Sequence, residues 1–336
     1  MTPYLGIPVT EPSQVGEARR AAMRLAGEHG FDEVAAGRVA LVVTELGTNL
    51  ARHAKGGRLL IGCRTNGDAK EIEILSLDKG PGMEDVTRCL RDGFSTGGTP
   101  GTGLGAVRRL ASAFSLHSVA GEGTISVARI GASPSAKAAA PPPASRFAHA
   151  GISLAAPGET VCGDAWALRS EGDKASVMVA DGLGHGPVAA EAADSAIAVF
   201  QTTAGTPDAV LQRAHNVLRS TRGAAVAMAV LDATAGTVDI AGAGNIVGRL
   251  VSGVGDRSLL TQHGTLGVQI RRLQTMNYAW PDHALLVLQS DGIASRWSIP
   301  QSSGLLQCDP AVLAGWILRD HVRGRDDATV VVVRRS

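Results

Sequence analysis

The chain has 336 residues, enough for two domains, and a net charge of +1 from 32 basic and 31 acidic side chains. That balance, without a basic stripe interleaved with aromatics, argues against nucleic acid as a partner, and no apolar run approaches the roughly 18 residues of a membrane span. Aromatics are only 3 % against 44 % hydrophobic residues overall, so small aliphatic side chains must fill the cores, while 42 glycines exceed the usual ~7 % and point to tight turns and backbone-lined ligand sites.

The opening Met1–Gly6 lacks a charged stretch followed by an apolar core, so no export signal is expected. Cys63, Cys89, Cys162 and Cys308 are widely spaced without a Cys-x-x-Cys pair, and read as reduced thiols of a cytoplasmic protein. Residues 38–54 predict a helix with Leu41, Val42, Leu46 and Leu50 as its apolar positions, and Glu45 and Asn49, four apart, share one face. In isolation that pair reads as a solvated stripe. Strands are expected at 58–63 and 71–77, the second running into Asp78-Lys-Gly80-Pro-Gly82-Met83. Gly97-Gly-Thr-Pro-Gly101-Thr102-Gly103-Leu104-Gly105 then leads into a helix expected over 106–113. Glycines at a helix start let backbone N–H groups approach phosphate, which the helix N-terminus favours.

Helix Glu/Asn, Asp-x-Gly-x-Gly and Gly-x-Gly-x-Gly, in that order, resemble the GHKL ATPase family over roughly residues 10–130. The resemblance implies a Bergerat-type ATP-binding α/β sandwich. By it Asn49 coordinates Mg²⁺, Asp78 bonds the adenine amino group, Gly80 and Gly82 shape the base pocket, and Gly101, Thr102, Gly103, Leu104 and Gly105 hold the phosphates. Glu45 would be the general base toward an attacking hydroxyl. No phosphoacceptor-histidine helix or receiver-like segment accompanies these motifs, and the ending Gly-Leu-Gly-Ala-Val-Arg-Arg-Leu is most similar to RsbT-type switch kinases, which phosphorylate Ser or Thr on small STAS-domain antagonists. His53 reads as structural or partly exposed. Lys55, Arg108 and Arg109 stay open between steering phosphate and forming solvated surface. The resemblance leaves a homodimer open.

Residues 131–146, rich in Ala and Pro, form a low-complexity linker that divides a domain at 1–130 from one at 147–336. Beyond it, strands are expected at 161–169, 175–181, 224–231, 237–241, 246–251, 284–291 and 328–334, with helices at 187–202 and 207–219. That distribution suggests an α+β sandwich. Asp181 in Val-Ala-Asp-Gly-Leu-Gly-His-Gly and Asp291 in Gln-Ser-Asp-Gly-Ile end apolar runs, and Asp326 and Asp327 precede one. Cys162-Gly-Asp164 lies upstream. Asp-Gly pairs often mark turns only, but carboxylates converging at strand tips are costly unless paired, and a hard divalent cation resolves that cost.

These motifs, with Ala-Gly-Ala-Gly-Asn245-Ile, resemble the SpoIIE branch of the PPM phosphatases, most closely the small RsbX-type enzymes, over about residues 150–335. The resemblance implies an α-β-β-α sandwich in which Asp181 bridges two Mn²⁺ or Mg²⁺ ions and the Gly182 carbonyl binds one. Asp291 and Asp326 would bind the second, with Asp164 either ligating metal directly or standing behind the ligands. Two cations roughly 4 Å apart activate a water for in-line displacement. Cys162 is expected in a strand, without the phosphate loop of a Cys-dependent phosphatase. Asp326 is preferred to Asp327 because neighbours on a strand face opposite ways. His185 is open between protonating a leaving alkoxide and contacting backbone at a helix start, and Asn245 is expected to shape a turn.

The expected function is a bifunctional switch, an ATP-dependent Ser/Thr kinase joined to a Mn²⁺/Mg²⁺ phosphoprotein phosphatase. Expected partners are STAS-domain or stressosome-like proteins of an anti-sigma circuit. The alternative is a phosphatase whose first domain only binds ATP or a partner. A phosphatase for small nucleotides is a third reading.

Overall fold

The structure, a computed structural model, describes residues 3–66, 69–89, 103–132, 146–300 and 304–336. Gly101, Thr102 and all but the ends of the expected linker lie outside the described residues. The chain divides into two compact units, Thr2–Pro143 and Ala144–Ser336.

The first unit runs β1 (Leu5–Pro8), α1 (Pro12–Glu28), α2 (Glu33–His53), β2 (Arg58–Asn66), β3 (Ala69–Leu77), a short α3 (Val86–Cys89), α4 (Gly103–Leu110), β4 (Ala113–Val119) and β5 (Gly123–Gly131). Its strands make one antiparallel sheet in the order β1-β2-β3-β5-β4. α2 begins before the expected residue 38 because Asp32 caps it, accepting from the Ala35 N–H at 2.7 Å, with Glu33 in the favourable first turn. Its buried stripe is Val39, Val42, Val43, Leu46 and Leu50, a helical repeat packed on the sheet; Leu41, expected inside, is 55 % exposed. α2 is also the one helix among the described residues long and apolar enough to cross a membrane, but here that stripe belongs to the core. α4 begins within the glycine run rather than at 106. It stops before Ser112, whose N–H and Oγ both bond the Arg129 carbonyl and start the chain along β5.

The second unit runs β6 (Phe147–Leu154), β7 (Asp164–Glu171), β8 (Lys174–Gly182), α5 (Pro187–Thr202), α6 (Pro207–Leu218), β9 (Ala224–Asp232), β10 (Thr237–Ala243), β11 (Val247–Val251), β12 (Arg257–Leu259), β13 (Gly264–Thr265), β14 (Gln269–Ile270), β15 (Met276–Ala279), β16 (Leu285–Gln289), α7 (Pro310–His321) and β17 (Ala328–Arg335). Two antiparallel sheets, β15-β10-β9-β8-β7 and β12-β11-β16-β17-β6, face each other across Val177, Val179, Ala227, Leu286, Leu288 and Val331. α5 and α6 cover the first sheet through Ala193, Phe200, Val210 and Leu211, and α7 covers the second. The layers are therefore helix, sheet, sheet, helix, as the α+β expectation required. β7 begins at Asp164 and not at Val161, so Cys162 stands just before the strand, contrary to expectation. Its buried thiol donates to the Leu154 carbonyl and is pushed far up by burial, then by Asp164 and Asp327.

Candidate functional site

In the first unit, Glu45 and Asn49 lie half-buried on one face of α2. The start of α4 stands against that face: a Cβ on Gly103 would lie 3.1 Å from Glu45 Oε2 and 3.7 Å from Asn49 Oδ1. Leu104 packs on the core, and Gly105 is buried. Asp78 follows the end of β3, and its Oδ1 accepts from the Gly80 N–H at 2.7 Å. Gly82 holds φ +67°, and a Cβ there would come 2.1 Å from the Val119 carbonyl oxygen, so only glycine fits. Ser118, missed in the sequence, accepts from the Met83 N–H at 2.9 Å and pairs with Thr124, tying this loop to the β4–β5 hairpin. His53 is exposed at the end of α2, and Arg108 and Arg109 are exposed on α4. Glu45 and Asn49 thus face the glycine at the N-terminus of α4.

In the second unit, Asp181, Asp291 and Asp326 line one cavity of about 560 Å³ together with Asn245, His263 and Thr265. The register of β7 on β8 sets Asp164 directly opposite Asp181, a like-charge pair that sheets otherwise avoid. Asp164 is buried; Ser290 Oγ donates to its Oδ2 at 2.7 Å, while its Oδ1 has no hydrogen-bond partner. Ser290 is in turn fixed by the Thr329 N–H at 2.9 Å. Burial pushes Asp164 up to about 7, against the hydrogen bonds of Ser290 and Thr329. Burial, followed by the charges of Asp164, Asp291, Asp326 and Asp327, pushes Asp181 up to about 9. Asp291 is raised by burial and Asp326, opposed by Arg323 and by Asn245, whose Nδ2 donates to it at 2.6 Å.

Asp326 and Asp327 both precede β17, and they divide the work. Asp326 faces the cavity, whereas Asp327 is buried and accepts from the Ala156 N–H at 2.8 Å. Gly182 ends β8, and a Cβ there would reach 2.0 Å from the Ala189 carbonyl oxygen, so the close packing of α5 excludes any side chain. His185 does not line the cavity. Its Nδ1 is 2.7 Å from Glu159 Oε1, a partner unmarked in the sequence, so neither reading of His185 describes its contact. Asn245 also does more than shape a turn, since it holds Asp291 in place.

Residues 9–129 match the family model described as histidine kinase-like ATPase domain, and residues 171–336 match that of stage II sporulation protein E (SpoIIE). The first unit is 40 % identical over 107 residues to the serine/threonine-protein kinase RsbT of Bacillus subtilis (strain 168), spanning 32 % of this chain and 80 % of that protein. The chain belongs to the RsbT-like ATPases in its first unit and to the SpoIIE phosphatases in its second. The SpoIIE unit is also similar to a chain solved in a structure described as "The bacterial stressosome: a modular system that has been adapted to control secondary messenger signaling". That similarity is 31 % identity over 56 % of this chain and 99 % of the other, with a TM-score of 0.52.

Membership of these families implies a nucleotide in the RsbT-like unit and divalent metal in the SpoIIE unit. The donor chemistry of the second cavity fits a hard cation: Asp181, Asp291 and Asp326 offer oxygen donors, charge on Asp181 and Asp291 is opposed, and a buried Asp164 oxygen lacks a hydrogen-bond partner. Among the described residues, no group of three or more His, Cys, Asp or Glu side chains is arranged to hold an ion.

Proposed function

We propose that the protein is a bifunctional switch whose RsbT-like unit phosphorylates Ser or Thr, and whose SpoIIE unit removes phosphate from Ser or Thr, on STAS-domain partners of a stressosome-like or anti-sigma circuit. The observation that carries the phosphatase reading is the gathering of Asp181, Asp291 and Asp326 at one cavity, with the ionisation of Asp181 and Asp291 opposed by burial and neighbouring carboxylates. Two Mn²⁺ or Mg²⁺ ions would be held by Asp181, the Gly182 carbonyl, Asp291 and Asp326, with Asp164 behind them, and would supply an activated water and charge neutralisation. The chain's own part is orientation: Asn245 fixes Asp291, Ser290 fixes Asp164, and the rigid start of α5 fixes Gly182.

The kinase reading is supported by Glu45 and Asn49 standing against Gly103 at the N-terminus of α4. There Asn49 would hold the Mg²⁺ of ATP, Asp78 the adenine, and Gly103, Leu104 and Gly105, with Gly101 and Thr102 before them, the phosphates. Glu45 would accept the proton of the attacking hydroxyl.

Two variants of the full chain test the pair of activities. With radiolabelled ATP and a STAS-domain protein, wild type is expected to transfer label, while Glu45→Ala binds ATP but transfers at least ~10²-fold less. ATP binding with no transfer by wild type would leave the first unit a binding module that regulates the second. Asp181→Asn is expected to abolish Mn²⁺-dependent release of phosphate from the labelled partner. Hydrolysis surviving that change would reject the metal centre.

A further inference from the structure

We propose that His263 is the general acid of the SpoIIE unit, donating a proton to the seryl or threonyl oxygen as it leaves phosphorus. The inference deepens the phosphatase reading and rests on it. An alkoxide is a poor leaving group, so a positioned acid contributes strongly to its departure. The obvious candidate by sequence, His185 in the Asp181 motif, is held by Glu159 at 2.7 Å and does not line the cavity. His263 does line it, and among the described lining residues it alone carries an imidazole. On the proposed metal reading the carboxylates there would hold cations, and Asn245 donates to Asp291.

The backbone around His263 is fixed on both sides. Just before it, the Gln262 N–H bonds the Gly242 carbonyl and the Gln262 carbonyl accepts from Gly244, both at 2.9 Å. Beyond it, Leu266 exchanges two bonds with Ala224 at 2.9 and 3.0 Å, and the Gly267 N–H donates to His215 Nδ1 at 3.0 Å. The segment is thus pinned to β9, β10 and α6, and the exposed imidazole between the pins projects from a rigid support at the cavity wall.

In the step proposed, a water oxygen forms the new bond to phosphorus and gives one proton to solvent. The bond from phosphorus to the seryl oxygen breaks, its electron pair stays on that oxygen, and the oxygen takes the proton of the His263 imidazolium. Solvent then reprotonates the imidazole, so the sum is phosphoserine plus water giving serine plus hydrogen phosphate.

The test compares leaving groups. In the full chain with Mn²⁺, His263→Ala and His263→Gln are expected to lower kcat on a phosphoserine peptide ~10²-fold or more, yet change p-nitrophenyl phosphate hydrolysis less than ~3-fold, because nitrophenolate leaves without a proton. Calorimetric Mn²⁺ binding and Tm should match wild type. Equal losses on both substrates, no loss on the peptide, or lost Mn²⁺ binding would each overturn the assignment. If wild type hydrolyses neither substrate with Mn²⁺, the phosphatase reading itself fails, and this inference with it.

Discussion

Asp181 is a carboxylate placed where its own ionisation is opposed, and that has a consequence for stability independent of any activity. Its folded-state pKa of about 9 lies above the ordinary carboxylate value of ~3.9. The folded chain therefore holds a proton that the unfolded chain has already released. In a chelator the contribution of this group falls as pH rises from about 4 to about 9 and is flat outside that window. Asp164, pushed to about 7, acts with the same sign over the lower part of the range. Asp181→Asn removes the stronger of these two pH-dependent penalties. In EDTA at pH 8 the variant is expected to melt above wild type by at least about 2–4 °C, the worth of about 1 kcal/mol in a domain of this size, and to show a shallower fall of Tm with pH. On the proposed metal reading saturating Mn²⁺ should reverse the order, since only wild type would keep the full set of ligands. A variant that melts lower than wild type in EDTA would show that Asp181 is not under electrostatic strain.

At the scale of elements, β3 is locked to its neighbours by one buried carboxylate. Glu73 is 1 % exposed and accepts from the Tyr4 hydroxyl at 2.6 Å, Arg129 Nε at 2.5 Å and Arg64 Nη1 at 3.3 Å. Those partners come from the chain start, β5 and β2, so one side chain ties the sheet across three neighbours. Glu73→Ala removes the buried acceptor shared by Tyr4, Arg64 and Arg129 and is expected to cost about 3–5 kcal/mol, read as a lower urea midpoint for the RsbT-like unit; a loss under about 1 kcal/mol would count against the cluster. Nothing in the alternation of β3 distinguishes Glu73 from the less buried Glu71 on the same face, because burial of a charge depends on partners remote in sequence. The same limit governs what could be read elsewhere. α5 and α6 announce themselves by Pro187 and Pro207 at their first turns. α7 has Asp309 and Pro310 as equally good signals, but Ala311 to Leu318 is buried all round, so no helical stripe stands out. Leu41 looked like core in a helix apolar enough to offer several stripes, and only packing chose Val43. The aspartates were legible because each sits in its own Asp-Gly or Asp-Asp motif at a strand tip. The contacts of Ser290 and His263 were not, because strand register and loop anchoring set them and no local pattern marks what those side chains meet.

For the whole molecule, each unit buries its own core: α1, α2 and the first sheet in one, two facing sheets with α5, α6 and α7 in the other. Autonomous cores predict autonomous unfolding. The fragments 1–132 and 146–336 are expected to fold separately, each reproducing one of two calorimetric transitions of the full chain. A ligand that binds only one native unit should move only that transition, by about 2.7 kcal/mol at a hundred times its dissociation constant. Mg²⁺-ATP should therefore shift the transition of 1–132, and Mn²⁺ that of 146–336. This arrangement bears directly on how the two activities proposed here would coexist in one chain. If the transitions move independently, the Ala/Pro-rich linker acts only by raising the effective concentration of one site near a partner held by the other. Were Mg²⁺-ATP to shift both transitions, or the chain to melt in a single step that neither fragment reproduces, the units would be energetically coupled. Nucleotide occupancy would then set the phosphatase directly, by a coupling that linkage makes reciprocal.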